Sequence, residues 1–164
     1  MPRRLSAFFM VIVGLAGISS SSASAQDTVS FRQSLKGIRT LGVVVEDLPP
    51  GARVLGLTAE LIQTDVELKL RQTGLEVVPS GRISQAPGRA YLYIRVNLTD
   101  EGKAANLEVE FKQDVQLERN SEHIPSATTW SVGMILSNPT AQAIRDEAKQ
   151  FTYSFLNAWL FVNK

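Results

Sequence analysis

The chain has 164 residues, 17 Lys and Arg against 16 Asp and Glu, one histidine and no cysteine. The even charge balance gives no electrostatic drive toward nucleic acid or an anionic membrane surface. The missing cysteines exclude disulfide staples, thiol nucleophiles, thiolate metal sites and an acylated lipoprotein leader.

Residues 1–25 open on Arg3 and Arg4, continue through an apolar run from Leu5 to Ile18, and close on Ala23, Ser24 and Ala25. A basic start, a short apolar middle and a small-x-small end make a cleavable secretory signal peptide, with cleavage expected after Ala25. The competing reading, an uncleaved membrane anchor, would need about 20 apolar residues to span a bilayer. Here the run is shorter and is interrupted by Gly14 and Gly17. The expectation is therefore an exported protein, periplasmic or secreted, with no stable membrane insertion after cleavage. Losing Arg3 and Arg4 leaves 15 basic residues against 16 acidic ones over 139 residues, Gln26 to Lys164. That length suits one domain with its own core.

Residues 26–37 are mostly polar, with a single aromatic residue, Phe31, and read as a flexible arm. A single domain is expected over 38–164. Its first strand, Ile38 to Leu48, is rich in valine and stops at Pro49, Pro50 and Gly51, the pattern of a central strand. From Thr58 to Gln72 the period becomes helical. Thr58 stands where a capping hydroxyl is wanted, and Gly74 where a left-handed residue closes a helix. Leu55, Ala59, Ile62, Val66, Leu70 and Thr73 form one stripe, and Leu57, Leu61, Leu68 and Leu75 form a second apolar set. Asp65 lies between the two, four residues before Lys69, where it makes a helical ion pair or fixes register against a partner protein.

After a short strand, Leu75 to Val78, residues 79–89 have loop composition, with Arg82 and Arg89 as candidate anion contacts. Residues 90–99 then alternate, with Leu92, Ile94, Val96 and Leu98 on one side and Tyr91, Tyr93, Arg95 and Asn97 on the other. A turn at residues 100–103 leads to 106–118, where Leu107, Val109, Phe111, Val115 and Leu117 oppose a wholly polar side. Gln113 is the one exception on the apolar side. Such alternation means strands buried on one face only. A polar loop, 119–125, precedes a last strand, 127–136, with Trp130, Val132, Met134 and Leu136 inward. Asn138 and Pro139 read as cap and first residue of a closing helix. Its stripe runs Ile144, Ala148, Phe151, Phe155, Trp159 and Val162, with Phe155 and Trp159 as core anchors.

The order is β-α-β-β-β-β-α. It predicts an α+β, two-layer sandwich: a five-stranded mixed sheet with a parallel first crossover, an antiparallel meander, and two helices on one face. The Val-rich strand ending GVVVEDL, the helix closing on LRQTGLEVV, the strand AYLYIRV and the strand TTWSV together resemble a group of small bacterial envelope modules, over most of residues 38–136. These are the amino-terminal domain of TolB, the outer-membrane activators of penicillin-binding proteins, and CsgG-like secretion proteins. The resemblance implies a non-catalytic, protein-binding module of the cell envelope and carries over no site residues.

Residue chemistry points to no catalytic, metal-binding or cofactor-binding residues. His123 is alone, and no nucleophile elbow, phosphate loop or paired-histidine zinc motif occurs. Glu108 and Glu110 share a strand face about 7 Å apart, a spacing that an inverting glycosidase could use and that any polar strand face also produces. The expected function is an accessory module that binds a protein partner or self-associates into a homo-oligomer, with no nucleic acid. Tyr91, Tyr93, Arg95, Glu108, Glu110, Lys112 and Asp65 are its candidate contact residues. The alternative is a small periplasmic ligand-binding protein or hydrolase using the open sheet face.

Overall fold

A computed structural model describes residues 24–25 and 29–164. The leader expected over residues 1–25 thus lies outside the described residues except for Ser24 and Ala25, a two-residue strand β1. The elements that follow are α1 (Val29–Gln33), β2 (Thr40–Val45), α2 (Pro50–Val54), α3 (Ala59–Gln72), β3 (Glu76–Val78), β4 (Tyr91–Leu98), β5 (Ala104–Gln116), β6 (His123–Ser137) and α4 (Ala141–Asn163). The sheet runs β1-β6-β5-β4-β2-β3. β2 is parallel to both β3 and β4, and β4, β5 and β6 form an antiparallel meander. The α+β sandwich is therefore as the pattern predicts, with β1 added at one edge.

The two long helices lie on one sheet face. Ile62, Val66 and Leu70 of α3 and Ile144, Ala148, Phe151 and Phe155 of α4 join Leu41, Val43, Leu92, Ile94, Leu107, Val109, Phe111 and Trp130 in one core. Phe155 is its centre, with ring centroids 5.4 Å from Phe111 and 5.5 Å from Trp130. Thr58 caps α3 as expected, its hydroxyl accepting from the Leu61 N–H. For α4 the expectation needs correction. The cap is Thr140, whose hydroxyl accepts from the Ala143 N–H at 3.0 Å, whereas Asn138 sits two residues earlier with φ 47° in the left-handed region. Asn138 tolerates that conformation better than most residues, so it makes the turn and leaves capping to the threonine.

Residues 29–37, read as part of a flexible arm, are instead packed. Leu35 is fully buried. The segment is tied to the end of α4: Asn163 donates to the Leu35 carbonyl at 2.9 Å and accepts from the Gly37 N–H at 2.6 Å. Trp159 donates its indole N–H to the Ile38 carbonyl at 2.8 Å. Gln113, the break in β5's apolar alternation, belongs to the same joint, donating to the Ser34 carbonyl and the Thr129 hydroxyl, both at 3.0 Å. The β5–β6 register shifts on either side of this point, and the hairpin tip runs on beyond the helix layer. Val115 and Leu117 lie in the overhang and are not buried, although their spacing matches the core residues.

Segment 79–89 folds as two short 3-10 turns, Ser80–Gln85 and Pro87–Arg89. It lays Ile83 against Gly42 on β2, where a Cβ would collide with the Ile83 side chain. A side chain at Gly42 would displace that of Ile83, so it is close approach and not its torsion angles that favours glycine there. The outer sheet face is thus covered by this loop at β2 and open across β4, β5 and β6.

Candidate functional site

The open face is built by the β4–β5 ladder. Its register sets Tyr91 opposite Lys112, Tyr93 opposite Glu110, Arg95 opposite Glu108 and Asn97 opposite Asn106. The inward partners Leu92, Ile94 and Val96 are buried in the core, so pleating holds the six candidates from Tyr91 to Lys112 on the outer side. All six are half-buried by one another. Asp114, further along the polar side of β5, lies past the ladder's end and binds Arg89 at 2.6 Å, which also commits one of the two candidate anion contacts of the loop.

Arg95 is the hub. Its Nε is 2.9 Å from Glu46, Nη1 is 3.1 Å from Glu108 and Nη2 is 3.9 Å from Glu110. Glu46 was not among the sequence-derived candidates. The signal available for it was an acid placed straight after the valine run of the central strand, where it emerges beside β4. Its backbone N–H continues the ladder to the Ile94 carbonyl at 2.9 Å. Lys112 lies 3.2 Å from Glu110 and donates to the Thr128 hydroxyl, which in turn donates to Glu110. Asn106 donates to Glu108 at 3.1 Å.

Three carboxylates, Glu46, Glu108 and Glu110, therefore surround two cations, Arg95 and Lys112. The hydrogen bond to Glu46 is the chief reason that the Arg95 guanidinium is held even more firmly protonated than usual. The Tyr93 ring lies between the cations, 5.6 Å from the Arg95 guanidinium carbon and 5.4 Å from Lys112 Nζ, and meets Tyr91 edge to face at 6.5 Å. Burial, then the nearby Glu46 charge, pushes the Tyr93 phenol up from its ordinary value. The phenol thus stays neutral near pH 7.

Chemically this is a rigid, charge-laced plate with an aromatic centre. Glu108 and Glu110 are both engaged by cations, so neither carboxylate stands free on the face. Beside the plate on the same face is a shallow recess of about 320 Å³, bounded by Asn97, Asn106 and the exposed Ile135. Among the described residues no cluster of three or more His, Cys, Asp or Glu could hold a metal, and no helix is long and apolar enough to cross a membrane.

Asp65 does not join the plate. It sits on α3, on the helix side of the sheet, and forms a two-pronged bond with Arg145 of α4 at 2.8 and 3.1 Å. The ion pair with Lys69 that sequence spacing allowed is replaced, because Lys69 turns to hydrogen-bond Tyr153 and lies over its ring. Of the second apolar set, Leu57 and Leu75 are buried in the core, while Leu61 and Leu68 remain exposed beside Asp65. His123 is exposed at the start of β6.

No family model matches the chain, and no curated protein matches it. Solved structures with similar chain paths include two of the PelC dodecamer from Paraburkholderia phytofirmans. One, a point variant, is 14% identical with a TM-score of 0.45, and the match covers 76% of this chain and 89% of that one. The other is 13% identical with the same TM-score of 0.45, covering 84% and 98%. A likeness of this extent is partial overlap of chain path, and it transfers neither residues nor assembly.

Proposed function

We propose that this chain is an exported, non-enzymatic interaction module of the bacterial cell envelope, and that the β4–β5 face docks a protein partner. The observation that carries this reading is the plate itself: both long helices cover the other side of the sheet, leaving Tyr91, Tyr93 and Arg95 prearranged on a surface without a roof. Tyrosine and arginine are enriched in protein interfaces because they bring large contact area with few rotors to freeze. The leader pattern of residues 1–25 and the resemblance to envelope modules support the location. A hydrolytic role for Glu108 and Glu110 is disfavoured by the cations that neutralise both.

The test is a comparison of the parent with a double variant, Tyr91→Ser and Tyr93→Ser, by in-cell crosslinking from the envelope. Both side chains are outward and outside the core but half-buried on the plate, so the double variant should still unfold cooperatively, with a melting temperature lowered by several degrees, in line with a loss of about 1 kcal/mol per substitution. Specific crosslinks present in the parent should be lost. A double variant that retains every crosslink sinks the face as a docking site, and one that unfolds assigns the two tyrosines to holding the sheet together.

A further inference from the structure

The two edges of the sheet are treated differently. At one edge, β3 has three residues and carries Glu76, which accepts a hydrogen bond from Thr40. A short, charged strand is how native sheets blunt an edge against further pairing. At the other, β6 runs for 15 residues, His123–Ser137, without a single Asp, Glu, Lys or Arg. Pro125, the left-handed Ser126 and a bulge at Thr129 disturb its first half, and the ladder is regular from Trp130 to Ser137. The only strand on that edge among the described residues is β1, which covers two positions, Ser24 opposite Gly133 and Ala25 opposite Val132.

We propose that the outer edge of β6 pairs antiparallel with β6 of a second copy of this chain, about a two-fold axis at Gly133. The proposal rests on the reading of residues 1–25 as a leader, because cleavage after Ala25 severs β1 and bares the edge where the axis falls. β1 marks the place: an antiparallel strand already seats there in register with Gly133 and Val132.

A second copy is the occupant that the charge pattern favours. Isologous antiparallel pairing sets a strand against its own sequence, so a charge near the axis meets its like across the interface. β6 has none to meet. With the axis at Gly133, Val132 of one copy faces Met134 of the other and Trp130 faces Leu136. All four belong to the inward, core-facing row of β6, so the two cores become continuous. On the outer face Ser131 meets Ile135, which is 64% exposed in the single chain and would be covered. The Thr129 carbonyl already accepts the Ser34 hydroxyl at 3.2 Å, which bounds the new ladder at Trp130.

The full gene product, leader included, is expressed in a bacterial host, recovered from the periplasm, and its amino terminus and solution mass are measured by mass spectrometry and light scattering. The expected result is a chain beginning at Gln26 with twice the single-chain mass. Ser131→Lys with Ile135→Lys sets lysine against lysine twice and should return the single-chain mass, whereas Ser131→Lys with Ile135→Glu should restore the dimer. That rescue separates loss of pairing from loss of folding. A processed chain that stays single at concentrations up to about 100 μM overturns the edge pairing alone, as does a dimer indifferent to both variants. An intact amino terminus overturns the leader reading and the proposal with it, since Ser24 and Ala25 then keep the axis covered. In a chain without cysteine, Ser131→Cys with Ile135→Cys should also trap the dimer on mild oxidation, while Ile135→Cys alone should not.

Discussion

Two aromatic residues of α4 that look equivalent in the sequence stripe do different work. Phe155 is fully buried between Phe111 and Trp130, so its removal leaves a cavity at the centre of the core. Trp159 is half-buried, and its main tie is the indole N–H to the Ile38 carbonyl. Phe155→Ala should cost about 3–5 kcal/mol. Trp159→Phe, which keeps most of the ring and loses the donor, should cost about 1 kcal/mol. Urea unfolding of the two variants measures both, and equal losses would show that the stripe, not the packing, sets the energetics.

Asp114 gives the residue scale a pH dependence. Its carboxyl is held below its ordinary value of 3.8, first by the hydrogen bond from Arg89 and with help from the Ser126 N–H. A group whose folded value is lowered binds its proton more readily when the chain is unfolded. Its contribution is therefore complete above the ordinary value and fades as pH falls through the lowered one. Stability should decline on the acid side, below about pH 4, and Arg89→Gln should make that decline shallower by lowering the plateau near pH 7, with parent and variant converging toward the acid end. Denaturant midpoints taken from about pH 6 down to about pH 2 test this, and an identical acid limb in the variant would remove Arg89 as the cause.

At the scale of elements, the sequence was most legible where one face is wet and the other dry along a whole strand or helix. β4, the first half of β5 and α4 are all of this kind, and the register that follows from their alternation placed Tyr91, Tyr93, Arg95, Glu108, Glu110 and Lys112 on one surface. Four features were not legible, each for a physical reason. α1 and Leu35 lie in a polar window, and Leu35 is buried through its tie to the far end of α4, a separation that no local pattern carries. Val115 and Leu117 keep the two-residue period of the core, but period reports which face a residue takes and not whether a helix covers it. Asp65 found Arg145 instead of Lys69 because a partner on a packed helix can present two donors at once, which a neighbour on the same helix does not do here. Glu46 escaped notice because it joins the plate through the parallel pairing of β2 with β4, a contact between segments about 50 residues apart.

Across the whole molecule, the helix layer is shorter than the sheet it covers. β2, β4 and β5 up to Phe111 lie under α3 and α4, while residues from Asp114 to Ala127 extend past them as a two-stranded ribbon with no buried side chain. An isolated hairpin is marginal in water, so this ribbon owes its order to the ladder and to a few side-chain ties. Arg89 on Asp114 at 2.6 Å and Asp114 on the Ser126 N–H at 3.2 Å are the clearest. Native-state hydrogen exchange should therefore separate the molecule in two. Amides of Leu92 to Val96 and Leu107 to Phe111 should exchange only through global unfolding, and those from Val115 to Ser126 should open at a small fraction of that free energy. Asp114→Ala should speed exchange in the ribbon and leave the rates of the covered strands unchanged apart from any shift in global stability. A ribbon as protected as the core would mean that something covers it in solution, and the same experiment run against protein concentration would tell whether that cover is a second copy.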